Sequence, residues 1–228
     1  MGGIGQNYDP VADIELEAKR KVVEHDKQKG EVRDQLEKLM RARVPKAFRK
    51  GKVLPLAFYP SELLTQECAE VEGFGTKELR DLARDMTLTM YLCGGVGLAA
   101  PQVGKLIRMV VCDWSENRDT PTVMVNPKVV DESEEQVRLE EACLSIPGGK
   151  VHVYRPARVT ITHQSVKGAI IKEDLDGWPA RIAQHEIDHL DGQTMLDKVS
   201  RLERRFALST LDKIRKREKA PKKRKKRR

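Results

Sequence analysis

The stretch QHEIDHLDG, residues 184–192, constrains the chain more than any other. On an α-helix, His185 and His189 are four positions apart and share one face about one turn from each other, so both imidazoles reach a single ion. Glu186 then projects beside that ion. In this arrangement two histidines hold a divalent metal and a glutamate works as general base on water. The flanks favour a helix, because GWPARIAQHEIDHLDG carries Pro179 near its first turn and Gly192 at its end. By itself the pattern also describes a solvated helix face, where His and Glu are ordinary polar residues. A catalytic metal needs a third protein ligand and an open position.

The four cysteines are the first place to look for that ligand. Cys68, Cys93, Cys112 and Cys143 show no C-x-x-C pairing, which suggests neither a disulfide framework nor a zinc ribbon and predicts a reduced, cytoplasmic protein. Cys68, Cys93 and Cys112 read as small buried hydrophobes. Cys143 stands in EEACLSIPG, residues 140–148, before an apolar Leu and an expected turn containing Pro147 and Gly148. A second stretch, GGVGLAAPQVG at residues 94–104, is a small-residue loop presenting Gln102. Small residues let a backbone approach another chain closely, and a buried Gln amide can donate to a developing oxyanion. A Gln in a turn needs no chemistry, so that reading stays open too.

In this order, GVGLAAPQ, EACLS and QHEIDHLDG resemble the three signature motifs of the peptide deformylases, metalloenzymes that remove the formyl group from nascent protein N-termini. The resemblance extends over roughly Val53 to Ser200. It implies that Cys143, His185 and His189 are metal ligands with the fourth position left for water. The implied cofactor is one divalent ion, Fe2+ in vivo, with Zn2+, Ni2+ or Co2+ able to occupy the site. Glu186 would be the general base, and Gln102 with the backbone N–H of Leu144 would stabilise the oxyanion. Gly97 would hydrogen-bond the substrate chain, and Val96 would help line the methionine pocket. Asp188 either orients a ligand through a basic residue such as Arg155 or is a solvated carboxylate. The family's usual Gly before the metal-binding Cys is Ala142 here. An alanine would be strained there if the position needs a positive φ, and would otherwise narrow the site.

The order of elements suggests an α+β domain, with antiparallel or mixed strands packed around a central metal-binding helix. TKELRDLARDMTLTMYLCGG reads as an amphipathic helix with Thr76 as N-cap, Leu79, Leu82, Ala83, Met86 and Met90 on its buried face, and Gly94 or Gly95 at its end. IRMVVCDW, PTVMVNPKVV and RPARVTITHQSV read as strands. Three segments are expected. Residues 1–52 form a charged N-terminal extension, helical or partly disordered, with Gly30 and Pro45 interrupting it. Residues 53–200 form the catalytic domain. Residues 201–228 form a basic helix, near residues 199–218 with Leu202, Phe206, Leu208 and Leu211, and a disordered tail.

Charge sharpens that division. Residues 201–228 hold fifteen Lys or Arg against three acids, a net of +12 in a chain of +8, so residues 1–200 carry −4. A tail of this kind meets nucleic acid or another polyanion, and the resemblance implies the ribosome and its RNA as a partner beside the N-formylmethionyl nascent peptide. The chain has no apolar run long enough to span a bilayer and no apolar h-region near its start, so neither a membrane nor a secretory route is expected. Two other functions compete: a metallopeptidase with the same His-Glu-His geometry, and a ribosome- or RNA-binding protein whose metal is structural.

Overall fold

The computed structural model describes residues 30–219. The Gly-rich start and the basic ending Lys222 to Arg228 lie outside them. The elements run α1 (Gly30–Arg43), α2 (Lys77–Leu92), β1 (Gly97–Ala99), β2 (Met109–Cys112), β3 (Thr122–Glu132), β4 (Gln136–Cys143), β5 (Ile146–Pro156), β6 (Arg158–Gln164), β7 (Ile170–Asp176), α3 (Gly177–Leu190) and α4 (Arg201–Lys219), with short 3-10 turns between them.

A five-stranded sheet in the order β1-β2-β3-β6-β7 and a β4-β5 hairpin make up the strand layer, and every pairing between strands is antiparallel. The position of the interior strand β2 explains why its sequence is an unbroken apolar run. Met109 and Val111 pack with Leu79, Ala83, Met86 and Met90 of α2, whereas Val110 and Cys112 pack with Ala180, Ala183, Ile187 and Leu190 of α3. Side chains alternate across a strand, so a strand covered on both faces needs apolar residues at every position. The histidine helix α3 is therefore a core helix, flanked by the sheet on one side and the hairpin on the other.

Local chemistry sets the boundaries. The Thr76 side chain accepts from Leu79 N–H as the N-cap of α2, and Gly94, at φ +70°, ends that helix. Pro127 lies within β3, where a proline has no N–H for the ladder. It is tolerated because the register to β6 shifts between Val125 and Lys128. Asn126 takes a positive φ of 51° at this bulge, and its side chain bonds Val71 N and O at 2.8 and 2.9 Å.

The chain after Cys143 departs from expectation. The reverse turn is Leu144–Ser145, and Pro147 and Gly148 belong to the opening of β5. Ala142 pairs with Lys150 and Cys143 with Ile146, so residues 147–149 bulge out of register, and Gly148, at φ +72°, supplies the left-handed residue the bulge needs. Ala142 itself is extended, and among the described residues only Arg118 and Asn126 are non-glycine residues with positive φ. The alanine carries no backbone strain, and its methyl lines the cavity described below.

Helix α1 packs on α2 near its C-terminal end, where Val44 joins Leu88 and Leu92. Helix α4 lies on the hairpin through Ala207 and Leu211, which are buried with Ile146, Val151 and Val153. Leu202 and Phe206, which share its apolar pattern, are exposed. Replacing Ile161, fully buried where β6 meets α3, with Ala should cost about 2–5 kcal/mol, read as a lower urea midpoint with unchanged slope.

Candidate metal centre

Helix α3 and the hairpin meet at a cluster of three metal-ligating side chains. Cys143, His185 and His189 are all buried, and their ligand atoms lie within 4.8 Å of one another. Cys143 is the last residue of β4, and its Sγ is 3.2 Å from His189 Nε2. The two imidazoles stand edge to face with centroids 5.2 Å apart, as helical i and i+4 spacing allows. His185 Nδ1 faces Glu141 Oε2 at 2.9 Å, which leaves its Nε2 for an ion.

The thiol is prepared to act as a ligand. Burial opposes a thiolate, but His189 and His185 outweigh it and draw the Cys143 thiol down to about 5. Thiolate and imidazole together suit borderline first-row ions, so the residues present fit a divalent metal.

Glu186 has the opposite character. Burial pushes its carboxyl up to about 7, against the lowering effect of the two histidines, and its Oε2 has no hydrogen-bond partner. An orphaned acceptor beside three ligands is a place for a water or a substrate group. Gly97, in β1, makes room for it, since a Cβ there would stand 2.7 Å from Glu186 Cδ.

Gln102 sits in a 3-10 turn after β1 and is almost fully buried. Its Oε1 accepts from Ala99 N–H at 2.8 Å, so the nitrogen end points into the cluster, donating to Ser145 Oγ at 3.1 Å and to Cys143 Sγ at 3.4 Å. Leu144 forms the turn directly after the cysteine and packs toward Gly95, where a Cβ would meet Leu144 Cδ1 at 2.7 Å. Val96 is half-buried against the core. The eight residues to which the resemblance assigns ligand, catalytic or substrate-binding roles come together, and seven of them, with Ala142, line one cavity of about 790 Å3, while His189 is fully buried within the ligand cluster.

Sequence reasoning left the support of this cluster largely unassigned. Glu141 accepts from Arg155 Nε and Nη2 at 2.6 and 2.9 Å and from Arg181 Nη1 at 2.7 Å, in addition to facing His185. Against the cost of burial, His185 and Arg155 hold its carboxyl well below the usual range. Arg155 also bonds Asp188 Oδ2 at 2.8 Å, so Asp188 is tied to the cluster and is not a free helix-face carboxylate. One signal did exist for Glu141: on a strand, residues two apart share a face, which places it beside Cys143.

Comparison with known proteins points to one family. The sequence model of the polypeptide deformylase family matches residues 53–205. A peptide deformylase of Acinetobacter baumannii is 41% identical over 162 residues, covering 71% of this chain and 92% of that protein. One from Dictyoglomus thermophilum is 43% identical over 136 residues, covering 60% of this chain and 86% of that protein. Among solved structures, a peptide deformylase from Legionella pneumophila superimposes with a TM-score of 0.70 at 36% identity, covering 74% of this chain and 99% of that one. The Synechococcus elongatus enzyme in complex with actinonin gives 0.67 at 36%, covering 75% and 93%.

The centre can be tested without reference to any activity. Cobalt-loaded protein should show a thiolate charge-transfer band that Cys143→Ser removes, and metal content should fall in His189→Ala. Glu141→Ala should destabilise the fold by about 3–5 kcal/mol, because it strips the counter-charge from two buried arginines, and should weaken metal affinity by about 10–100-fold. Chemical denaturation and metal competition measure the two effects separately.

Proposed function

The chain belongs to the polypeptide deformylase family, and on that premise we propose that it removes the N-formyl group from formylmethionine at the start of nascent polypeptides, releasing formate. The observation that carries the reading is the meeting of the Cys143, His185 and His189 donors, the unpartnered Glu186 carboxylate oxygen and the Gln102 amide. A structural metal would need neither of the last two.

A divalent ion held by the three ligands supplies Lewis acidity when bound, polarising an amide carbonyl and acidifying water. Glu186 takes the proton of the attacking water and returns it to the leaving amine. Its raised pKa suits both halves of that transfer near neutral pH. As the formyl carbon becomes tetrahedral, the Gln102 Nε2 group already directed into the cluster donates to the developing oxyanion, and the Leu144 N–H provides a second donor. The bond from Ala99 to Oε1 fixes the amide so that little reorganisation is required.

The substrate chain has a place to lie. Strand β1 is an edge of the five-stranded sheet, and Gly97 in it lines the cavity, so an extended peptide can add to that edge through backbone hydrogen bonds. Val96, with Leu144 and Ile182, offers an apolar wall for the methionine side chain.

The finer assignments belong to the same proposal. Ferrous iron is the ion in vivo, with zinc, nickel or cobalt as substitutes, in keeping with a thiolate and imidazole set that binds several first-row metals. Residues 53–200 form the catalytic unit, residues 1–52 an extension to it, and residues 201–228 a basic segment that docks near ribosomal RNA. The enzyme works in the cytoplasm. Among the described residues no helix is long and apolar enough to cross a membrane.

Formate release from formyl-Met-Ala-Ser, with protein loaded anaerobically with ferrous iron or nickel, is the test. Turnover should stop on chelation. Glu186→Gln should abolish turnover while metal content is kept, and retained turnover in that variant would overturn its role as base. Gln102→Leu should lower kcat by about a hundredfold or more, equivalent to about 3 kcal/mol of transition-state stabilisation.

A further inference from the structure

The C-terminal helix α4 is part of the cavity wall. Leu211, Ile214 and Arg215 line the same cavity as Cys143, His185 and Glu186. Its position is held at several points. Ala207 and Leu211 are buried against the hairpin, Arg204 reaches the Tyr59 hydroxyl at 3.1 Å, and Arg215 Nη2 donates to the Tyr59 carbonyl. Tyr59 N–H in turn donates to Ser145 O at 2.9 Å, in the turn beside Cys143. Gly148 permits the close approach, since a Cβ there would lie 2.5 Å from Ile214 Cδ1.

Charge distinguishes Arg215 from the other Lys and Arg side chains lining the cavity. Lys150 is paired with Glu140 at 2.8 Å and Arg181 with Glu141 at 2.7 Å. Among the residues whose side chains are described, 37–216, no carboxylate pairs with Arg215. Its guanidinium is half-buried and anchored through one nitrogen to a neutral carbonyl, which leaves further donors and a whole positive charge facing a largely apolar space. The group that complements it is a carboxylate.

We propose that Arg215 is a specificity residue, receiving an acidic side chain of the substrate peptide downstream of its formylated first residue. The proposal rests on the deformylase reading above. A chain laid along β1 runs on from the cluster, and its later side chains meet the cavity walls. A side-chain acid is the relevant source of the carboxylate, because a nascent chain attached to its tRNA has no free C-terminus.

The test uses C-terminally amidated formyl-Met peptides with one Glu or one Lys at the second, third or fourth residue and neutral residues elsewhere. At low ionic strength the full-length, nickel-loaded protein should show a kcat/KM about fivefold or more higher for Glu than for Lys at one of these positions. The preference should shrink in high salt. Arg215→Gln, whose amide can still donate to the Tyr59 carbonyl, should bring the Glu-to-Lys ratio near one, and Arg215→Glu should invert it. A ratio near one at all three positions in the unmodified protein, or a preference that survives both substitutions, would overturn the proposal. The comparison within the unmodified protein stands even if a variant fails to fold. Absence of formate from every peptide, the neutral ones included, would instead mean that the deformylase reading has failed and that this proposal falls with it.

Discussion

A single buried carboxylate, Glu141, holds the catalytic half of the molecule together. It accepts from Arg155 on β5 and Arg181 on α3 and faces His185 on α3, while it stands itself on β4. The hairpin and the helix are separate in sequence, and Glu141 is the centre of a set of polar contacts between them that also includes Arg155 to Asp188, Arg181 to the Val137 and Val153 carbonyls and Gln184 to the Pro156 carbonyl. Burying a carboxylate is costly unless cations surround it, so the groups that neutralise Glu141 also fix the distance between the strand bearing Cys143 and the helix bearing the histidines. Asp188 and Lys198 extend the same network, with Arg155 shared between the two acids and Lys198 3.1 Å from Asp188.

Around this polar knot, the packing leaves one helix with two different duties. Ala180, Ala183, Ile187 and Leu190 of α3 face the sheet and bring it close, whereas Arg181, His185, Glu186 and His189 carry the charged and ligating groups. Small residues on both sides make the approach possible. Gly97 leaves space for Glu186, and Gly95 leaves space for Leu144. The site is thus assembled from rigid elements, which is what positioning within a few tenths of an ångström requires.

Much of this was legible beforehand, for identifiable reasons. The i, i+4 histidines, the N-cap Thr76 and the terminal Gly192 are local signals, and local signals locate helices. The apolar run of β2 located a strand, and the packing of α2 on one face and α3 on the other accounts for its lack of alternation. The β4-β5 hairpin was harder, because its buried apolar positions are interrupted by Arg155 and Glu141, whose burial depends on a network shared with Arg181, His185 and Asp188 that no local pattern reveals. The turn after Cys143 was misplaced since a Pro-Gly pair ordinarily reverses a chain, and here it forms a bulge. The cavity wall supplied by Ile214 and Arg215 had no local signature at all: it depends on where α4 comes to rest, and Leu202 and Phe206 on the same helix remain in solvent.

The two edges of the five-stranded sheet are treated unlike each other. At one end β1 is only three residues long, fully buried, and opens toward the cavity. At the other end β7 is longer, and every second residue from Lys172 to Asp176 is charged and exposed. Unpaired strand edges are templates for unwanted association between chains, and short length and charge are two ways of discouraging it. Under the proposed function the division has a biological economy: the edge offered to an extended substrate backbone is short and set in the cavity, and the opposite edge is guarded by charge against a copy of the same chain.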